Sequence, residues 1–178
     1  MEHDPNRRML ITALAGLTLA NISLASAATG TANVQGKSRV LVAYFSRSGN
    51  TRVIAGIIHR SLNTDLFEIE PATPYPEDYF QTVEQTKNER ERGVKPALKN
   101  SVADLSRYES VYLGFPIWGT SVPPVVQTFL SSHNLAGKVL IPFITHGGYG
   151  KGDSDDILTR LAPTARREKD RKSTRLNS

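Results

Sequence analysis

A chain of 178 residues with 39% apolar side chains is the size of one domain built on a single layered core. Its formal charge of +5 is inflated by the two ends: from Ala28 to Lys169 there are 17 Lys and Arg against 14 Asp and Glu, a net of +3. No basic cluster is interleaved with aromatics, which excludes a nucleic-acid binder, and the lack of cysteine excludes disulfides, thiolate metal sites, iron–sulfur clusters and a cysteine nucleophile.

Residues 1–27 read as an export signal: Arg7-Arg8, an apolar stretch from Met9 to Leu24, then the small-x-small cleavage pattern Ala25-Ser26-Ala27. Thr12, Thr18 and Asn21 interrupt the stretch and make it a poor membrane anchor. The arginine pair followed by Met9-Leu10-Ile11 resembles a twin-arginine signal, the type that exports folded proteins, although Asn6 stands where Ser or Thr is usual. A general secretory signal carrying two arginines is the alternative. Residues 28–37 are then a linker, residues 38–169 the domain, and the mature protein is expected in the periplasm or outside the cell, with no membrane contact once the signal is removed.

The unbroken apolar run Val40 to Phe45 predicts a buried parallel strand. Ser46-Arg47-Ser48-Gly49-Asn50-Thr51 follows it, and a helix starts near Thr51 with Val53, Ile54, Ile57, Ile58 and Leu62 on one face. A strand that turns through small hydroxylated residues and Gly into a helix aims backbone N–H groups and hydroxyls at one spot, beside the positive end of the helix dipole. That is a phosphate cradle. It has neither the GK[ST] ending of a triphosphate loop nor the three-glycine dinucleotide fingerprint, and without a lysine it suits a single phosphate monoester.

Asp65 to Glu70 predicts a second strand and Pro71 to Pro76 a proline-broken loop. The charged segment Glu77 to Arg92 predicts a solvated surface helix whose modest apolar face is Tyr79, Phe80 and Val83. Gly93 to Asn100 is loop, and Val111 to Phe115 a third strand ending in the turn Pro116-Ile117-Trp118-Gly119-Thr120. Pro123-Pro124 open a helix carrying Val125, Val126, Phe129 and Leu130. Gly137 precedes a fourth strand, Val139 to Thr145, and the glycine-rich loop His146 to Gly152 follows. The last helix, Asp153 to Leu161, has Asp153, Asp155 and Asp156 at its positive end, so that acidic run reads as a helix N-terminus rather than a metal site, and Pro163 stops the helix. Asp170 to Ser178 reads as the translation of a sequencing-library adapter, and the natural chain is expected to depart from this sequence after about Lys169; a real basic tail is the alternative.

Strand–helix alternation means an α/β fold, a parallel sheet with helices on both faces. Ligands of such sheets bind outside the carboxyl ends of the strands. The loops at 46–51, 116–120 and 145–152 all follow strand ends, so they share one rim.

With those loops in place, residues Ser38 to Pro163 resemble the flavodoxin-like family. The resemblance is carried by Ser-x-Ser-Gly-Asn-Thr at Ser46 to Thr51, Pro-Ile-Trp-Gly at Pro116 to Gly119 and Thr-His-Gly-Gly at Thr145 to Gly148. The stretch Pro-x-x-x-Tyr-Pro-x-Asp-Tyr, Pro71 to Tyr79, is similar to one found in a small flavodoxin subgroup. The resemblance implies a doubly wound, three-layer sheet of order 2-1-3-4-5 with FMN as cofactor. It departs from the family after Pro163, where no fifth strand and helix are legible; both are expected to be missing, leaving strand four an uncovered apolar edge.

The family pattern implies that Ser46, Ser48, Asn50 and Thr51, with the backbone of Arg47 and Gly49, hold the FMN phosphate. It implies that Trp118 stacks on the isoalloxazine ring, flanked by its loop neighbours Pro116, Ile117 and Gly119. Thr145, His146, Gly147, Gly148 and Tyr149 would form the other side, the glycines letting the chain pass close to the polar edge of the ring. Alternatives stay open at four positions. Trp118 is otherwise a core or lid residue, His146 either a proton donor to reduced flavin or a structural hydrogen-bonding group, Tyr149 either a cap or a solvent-facing residue, and Arg47 either a phosphate partner or not.

The function implied is electron transfer to a partner protein, or reduction of a quinone-like acceptor by NAD(P)H. Carriers of this family tend to be strongly acidic, and the mildly positive mature charge tilts the expectation to the reductase. The rival from another class is a non-catalytic module that binds a phosphate-bearing ligand. A phosphatase or receiver domain is set aside, because the first strand lacks a terminal acidic cluster and the chain lacks cysteine.

Overall fold

The computed structural model describes residues 38–168; the signal, linker and adapter readings at residues 1–37 and 169–178 lie outside them. Strand β1 (Val40–Tyr44) leads into helix α1 (Asn50–Leu62), then β2 (Asp65–Glu68), α2 (Tyr79–Glu91) and a 3-10 turn at Leu105–Arg107. They are followed by β3 (Ser110–Pro116), α3 (Pro124–Ser132), β4 (Val139–Thr145), α4 (Ser154–Leu161) and β5 (Arg166–Arg167). All pairings are parallel and the strand order is β2-β1-β3-β4-β5, the doubly wound sheet the sequence predicts.

The side-chain period of two divides the core between the sheet's faces. Leu41, Ala43 and Phe45 point with Val111, Leu113 and Phe115 into the larger cluster, under Val125, Val126 and Phe129 of α3 and Ile157 and Leu158 of α4. Val42 and Tyr44 form a smaller cluster under Ala55 and Ile58 of α1, with Tyr112 and Phe143 against it. Phe143 lies opposite Gly114 in the β3–β4 register, and a Cβ on Gly114 would come within 2.1 Å of its ring. The bare glycine on the central strand is therefore the floor on which that ring rests. Among the described residues no helix is long and apolar enough to cross a membrane.

Three expectations need correction. The fifth strand is present in the described chain: the Arg166 N–H donates to the Lys138 carbonyl at 2.8 Å and the Glu168 N–H to the Leu140 carbonyl at 3.3 Å. An edge strand needs only backbone groups, so two exposed arginines serve, and no apolar pattern marks them. β5 covers β4 only over Val139 and Leu140, and among the described residues no helix follows it. Helix α1 is rotated so that only part of its predicted face points inward: Thr51 and Ala55 are buried and Ile54 and Ile58 half-buried, while Val53, Ile57 and Leu62 are at least half exposed. The small Ala55 lets the helix axis approach Val42 and Tyr44 closely. Helix α2 is the surface helix predicted, but Tyr79, Phe80 and Val83 face solvent and Thr82, Thr86 and Glu89 face the protein. That polar face is tolerated because it is satisfied: Thr82 donates to the Pro76 and Asp78 carbonyls and Thr86 to that of Thr82.

Candidate functional site

The three loops converge on the carboxyl-terminal rim as the topology requires. In the first, the Gly49 N–H donates to Ser46 Oγ at 3.1 Å and the Gly49 carbonyl accepts the first helical bond, from Val53, at 3.0 Å. Gly49 has φ of 90°, and nothing lies within 4 Å of where its Cβ would be. No side chain caps α1 and no acidic residue sits in its first turn. A 13-residue helix thus ends in uncapped N–H groups and open space, which fits an anion.

Arg47 is committed elsewhere: its guanidinium donates to the Glu77 carbonyl at 2.6 Å and lies 6.0 Å from the centre of the Tyr79 ring. Ser48 and Asn50 are exposed. Thr51 is buried, and its hydroxyl meets the hydroxyl of Thr145 at 2.8 Å, fastening the start of α1 to the end of β4. Two hydroxyls carry two hydrogens and share one bond, so one hydrogen is left to donate outward.

In the second loop, Pro116 closes β3 opposite Thr145, and the Ile117 N–H donates to the Thr145 carbonyl at 3.0 Å. Trp118 and Ser121 exchange N–H to carbonyl bonds of 3.0 and 3.1 Å, a two-residue hairpin turn with Gly119 at φ 53° and Thr120 at φ 67°. A β-branched residue in the left-handed region is strained, and the bonded pair on either side holds it there. The indole of Trp118 is half-buried between Phe45 and Tyr75, both edge-on at 5.0 Å with interplanar angles of 83° and 80°.

Tyr75 is fixed from behind. Its hydroxyl donates to Glu89 at 3.0 Å, and the other oxygen of that carboxylate accepts from Gln85 at 2.8 Å. Burial, with the Glu89 charge beside it, holds the Tyr75 hydroxyl protonated far above the ordinary tyrosine range. Arg90, next along α2, donates to the Trp118 carbonyl at 3.4 Å, and a Cβ on Gly119 would meet its guanidinium at 2.6 Å. Tyr75, Glu89 and Arg90 were not singled out by sequence reasoning. The Pro71–Tyr79 stretch was the only signal toward them, and its residues now have places: Tyr75 on the indole, Asp78 capping α2 through Gln81, Tyr79 beneath Arg47.

In the third loop, Nδ1 of His146 accepts the N–H groups of Gly148 and Gly150 at 3.2 and 3.3 Å, so the ring carries its hydrogen on Nε2 and pins its own loop. Among the described residues nothing takes the Gly147 N–H. Tyr149 is 89% exposed at the tip. The loop is seated on its neighbour at Gly152, whose Cβ would stand 1.8 Å from the Thr120 carbonyl oxygen. That oxygen accepts from the Asp153 N–H at 3.1 Å, and Ser121 donates to the Asp153 carboxylate at 3.1 Å. The acidic run opens α4, and Asp155 pairs with Lys151 at 2.5 Å. None of these loop residues lines the cavity of about 570 Å³ that lies between β2, residues 98–103 and α3.

The flavodoxin family profile matches residues 39–174. Among solved structures, a candidate flavoprotein from Bacteroides eggerthii is 32% identical, with a TM-score of 0.66 over 72% of this chain and 84% of its own. A second, from Bacteroides uniformis, is 31% identical, with the same TM-score over 72% and 85%. A flavoprotein from Lactobacillus acidophilus in complex with FMN shares the fold at 19% identity, with a TM-score of 0.65 over 72% and 88%. No curated protein matches the chain. The strand order, the three loops on one rim and the profile match across most of the domain agree, and the chain belongs to the flavodoxin family.

Proposed function

We propose that this protein is an exported FMN-dependent redox protein that passes electrons from a soluble donor to a partner protein or a small quinone-like acceptor. The family and the donor set of the rim both fit FMN. The observation that carries the reading is the joining of an uncapped, acid-free helix start to a tryptophan held edge-on by two other rings, with one hydroxyl pair, Thr51 and Thr145, linking the two sides.

When bound, the flavin supplies the electron chemistry. The chain supplies the rest. The N–H groups at Asn50 and Thr51 and the spare hydroxyl hydrogen of the threonine pair hold the phosphate. The indole of Trp118 offers an apolar, polarisable face to a flat ring, and Phe45 and Tyr75 fix its plane by contact with its edges. The Gly147 N–H is one loop amide open to the polar edge of that ring, since His146 takes the Gly148 N–H. The near-neutral balance of the mature chain favours a small acceptor over a strongly basic protein partner, and export in a folded state suits a protein loaded with its cofactor beforehand.

The test is a titration of flavin-free protein with FMN and with riboflavin. Quenched flavin fluorescence, with FMN bound more tightly than riboflavin, is the expected result. Loss of quenching for both flavins would leave only a phosphate-binding module. Mixing the loaded protein with NADH or NADPH and following the flavin absorption then separates reductase from carrier: rapid bleaching marks a reductase.

A further inference from the structure

Behind the Trp118 loop, where the end of α2 meets α3 and α4, lies a second cavity of about 360 Å³. Three cations line it: Arg90 from the last turn of α2, Lys95 from the loop that follows, and Arg160 from the last turn of α4. None of the three forms an ion pair among the described residues. Two carboxylates also line the cavity and set their charge against the three cations: Glu89 accepts from Tyr75 and Gln85, and Asp153 accepts from Ser121 through one oxygen.

Arg90 is the informative member. It is half-buried, yet its five N–H donors make a single hydrogen bond, a long one of 3.4 Å to the Trp118 carbonyl. Its nitrogens are not sealed in the protein, because the only buried side-chain polar atom left without a partner among the described residues is Thr64 Oγ1. The unused donors therefore reach accessible space, and Arg90 is one of the residues that line the cavity. A planar fork with free donors, flanked by a second guanidinium and an ammonium, suits a bidentate oxyanion.

We propose that this cavity binds a phosphate group, free or carried on a nucleotide, through Arg90, Lys95 and Arg160, and that Arg90 reports its occupancy to the Trp118 loop. An anion drawn to Arg90 competes with the Trp118 carbonyl and shifts the guanidinium that fills the space over Gly119. The consequence for the flavin rests on Trp118 being its ring partner; the binding itself does not.

The chain contains one tryptophan, so its intrinsic fluorescence reports on this loop without any flavin present. Flavin-free full-length protein is titrated with inorganic phosphate and with adenosine 5′-monophosphate, and with sodium chloride at matched ionic strength. Saturable change with either phosphate and none with chloride is expected, the tighter arm naming the source. The double variant Lys95→Gln/Arg160→Gln is expected to weaken the apparent affinity about tenfold or more, with its circular dichroism unchanged. Gly49→Ala, which disturbs the rim cradle, is expected to leave this signal in place. A signal lost in Gly49→Ala but kept in the double variant would assign the phosphate to the cradle and overturn the proposal, as would an equal response to chloride or no response at all. Arg90→Lys keeps the charge but loses the fork; it is expected to bind phosphate by calorimetry with a much reduced fluorescence change, and an undiminished change would refute the relay.

Discussion

Replacing Thr51 by Val separates the structural role of the rim from its role toward a phosphate. Val has nearly the same shape, so the packing around this buried position is kept and only the hydroxyl is lost. In the apo-protein the change removes the 2.8 Å bond to Thr145, a net loss of about 1 kcal/mol with a further fraction for the hydroxyl left without its partner. Thr145→Val should cost a similar amount. Together they should cost little more than either alone, because the double variant leaves no orphan, and the coupling should come to about 1 kcal/mol in denaturant unfolding. Toward FMN the loss is larger and falls on the double variant, which has no hydroxyl left to donate: a hydrogen bond to a charged phosphate is worth about 1.5–3 kcal/mol, so affinity should fall about tenfold to a hundredfold. Riboflavin has no phosphate and its affinity should hardly move. Equal losses for the two flavins would refute the assignment of the hydroxyl pair to the phosphate, and additive stability costs would refute the bond itself.

Trp118→Ala should weaken FMN binding and shift the flavin absorption spectrum, as read by titration; unchanged affinity and spectrum would show that the indole only fills space. Gly152→Ala places a methyl group on the Thr120 carbonyl and forces a φ of 56° on a residue with a side chain. It should cost about 3 kcal/mol or more in thermal or denaturant unfolding. His133 donates from Nδ1 to the Phe129 carbonyl and accepts the Val102 N–H at Nε2, and burial depresses its basicity. The unfolded chain therefore takes up a proton more readily, so stability present above about pH 6.5 should decline as the pH falls below it. His133→Gln should flatten that part of the profile; an identical slope in the variant would assign it to other groups.

The sheet and its rim were legible because their signals are local. An unbroken apolar run, then small hydroxylated residues and a glycine, states a strand and a phosphate turn within about a dozen positions. Pro116 and Pro123-Pro124 likewise bracket Trp118 in plain view. What holds the tryptophan was not legible, because Tyr75 reaches it from 43 positions away and Glu89 and Arg90 come from a helix whose charged sequence advertises only solvent. The orientation of that helix is not legible for a related reason: threonines and a glutamate lie inside because backbone carbonyls and Tyr75 satisfy them, and no periodicity of apolar residues records such bonds. Arg166 and Arg167 make a strand with their backbones alone, so their side chains gave no warning of it.

The seat of Gly152 on the Thr120 carbonyl also decides how a ligand can come and go. With no room for even a methyl group between them, the base of the loop after β4 is seated on the loop after β3, and α4 is tied to that seat through the Asp153 N–H. By contrast, nothing lies within 4 Å of the Cβ positions of Gly147, Gly148 and Gly150, on either side of the solvent-facing Tyr149. Room to rearrange is therefore found at the tip of the loop after β4, where His146 holds the Gly148 and Gly150 N–H groups, and not at its Gly152 seat. Exchange of cofactor should be slowed by a cross-link that ties Tyr149 down and left unaffected by one that ties Thr120 to Gly152.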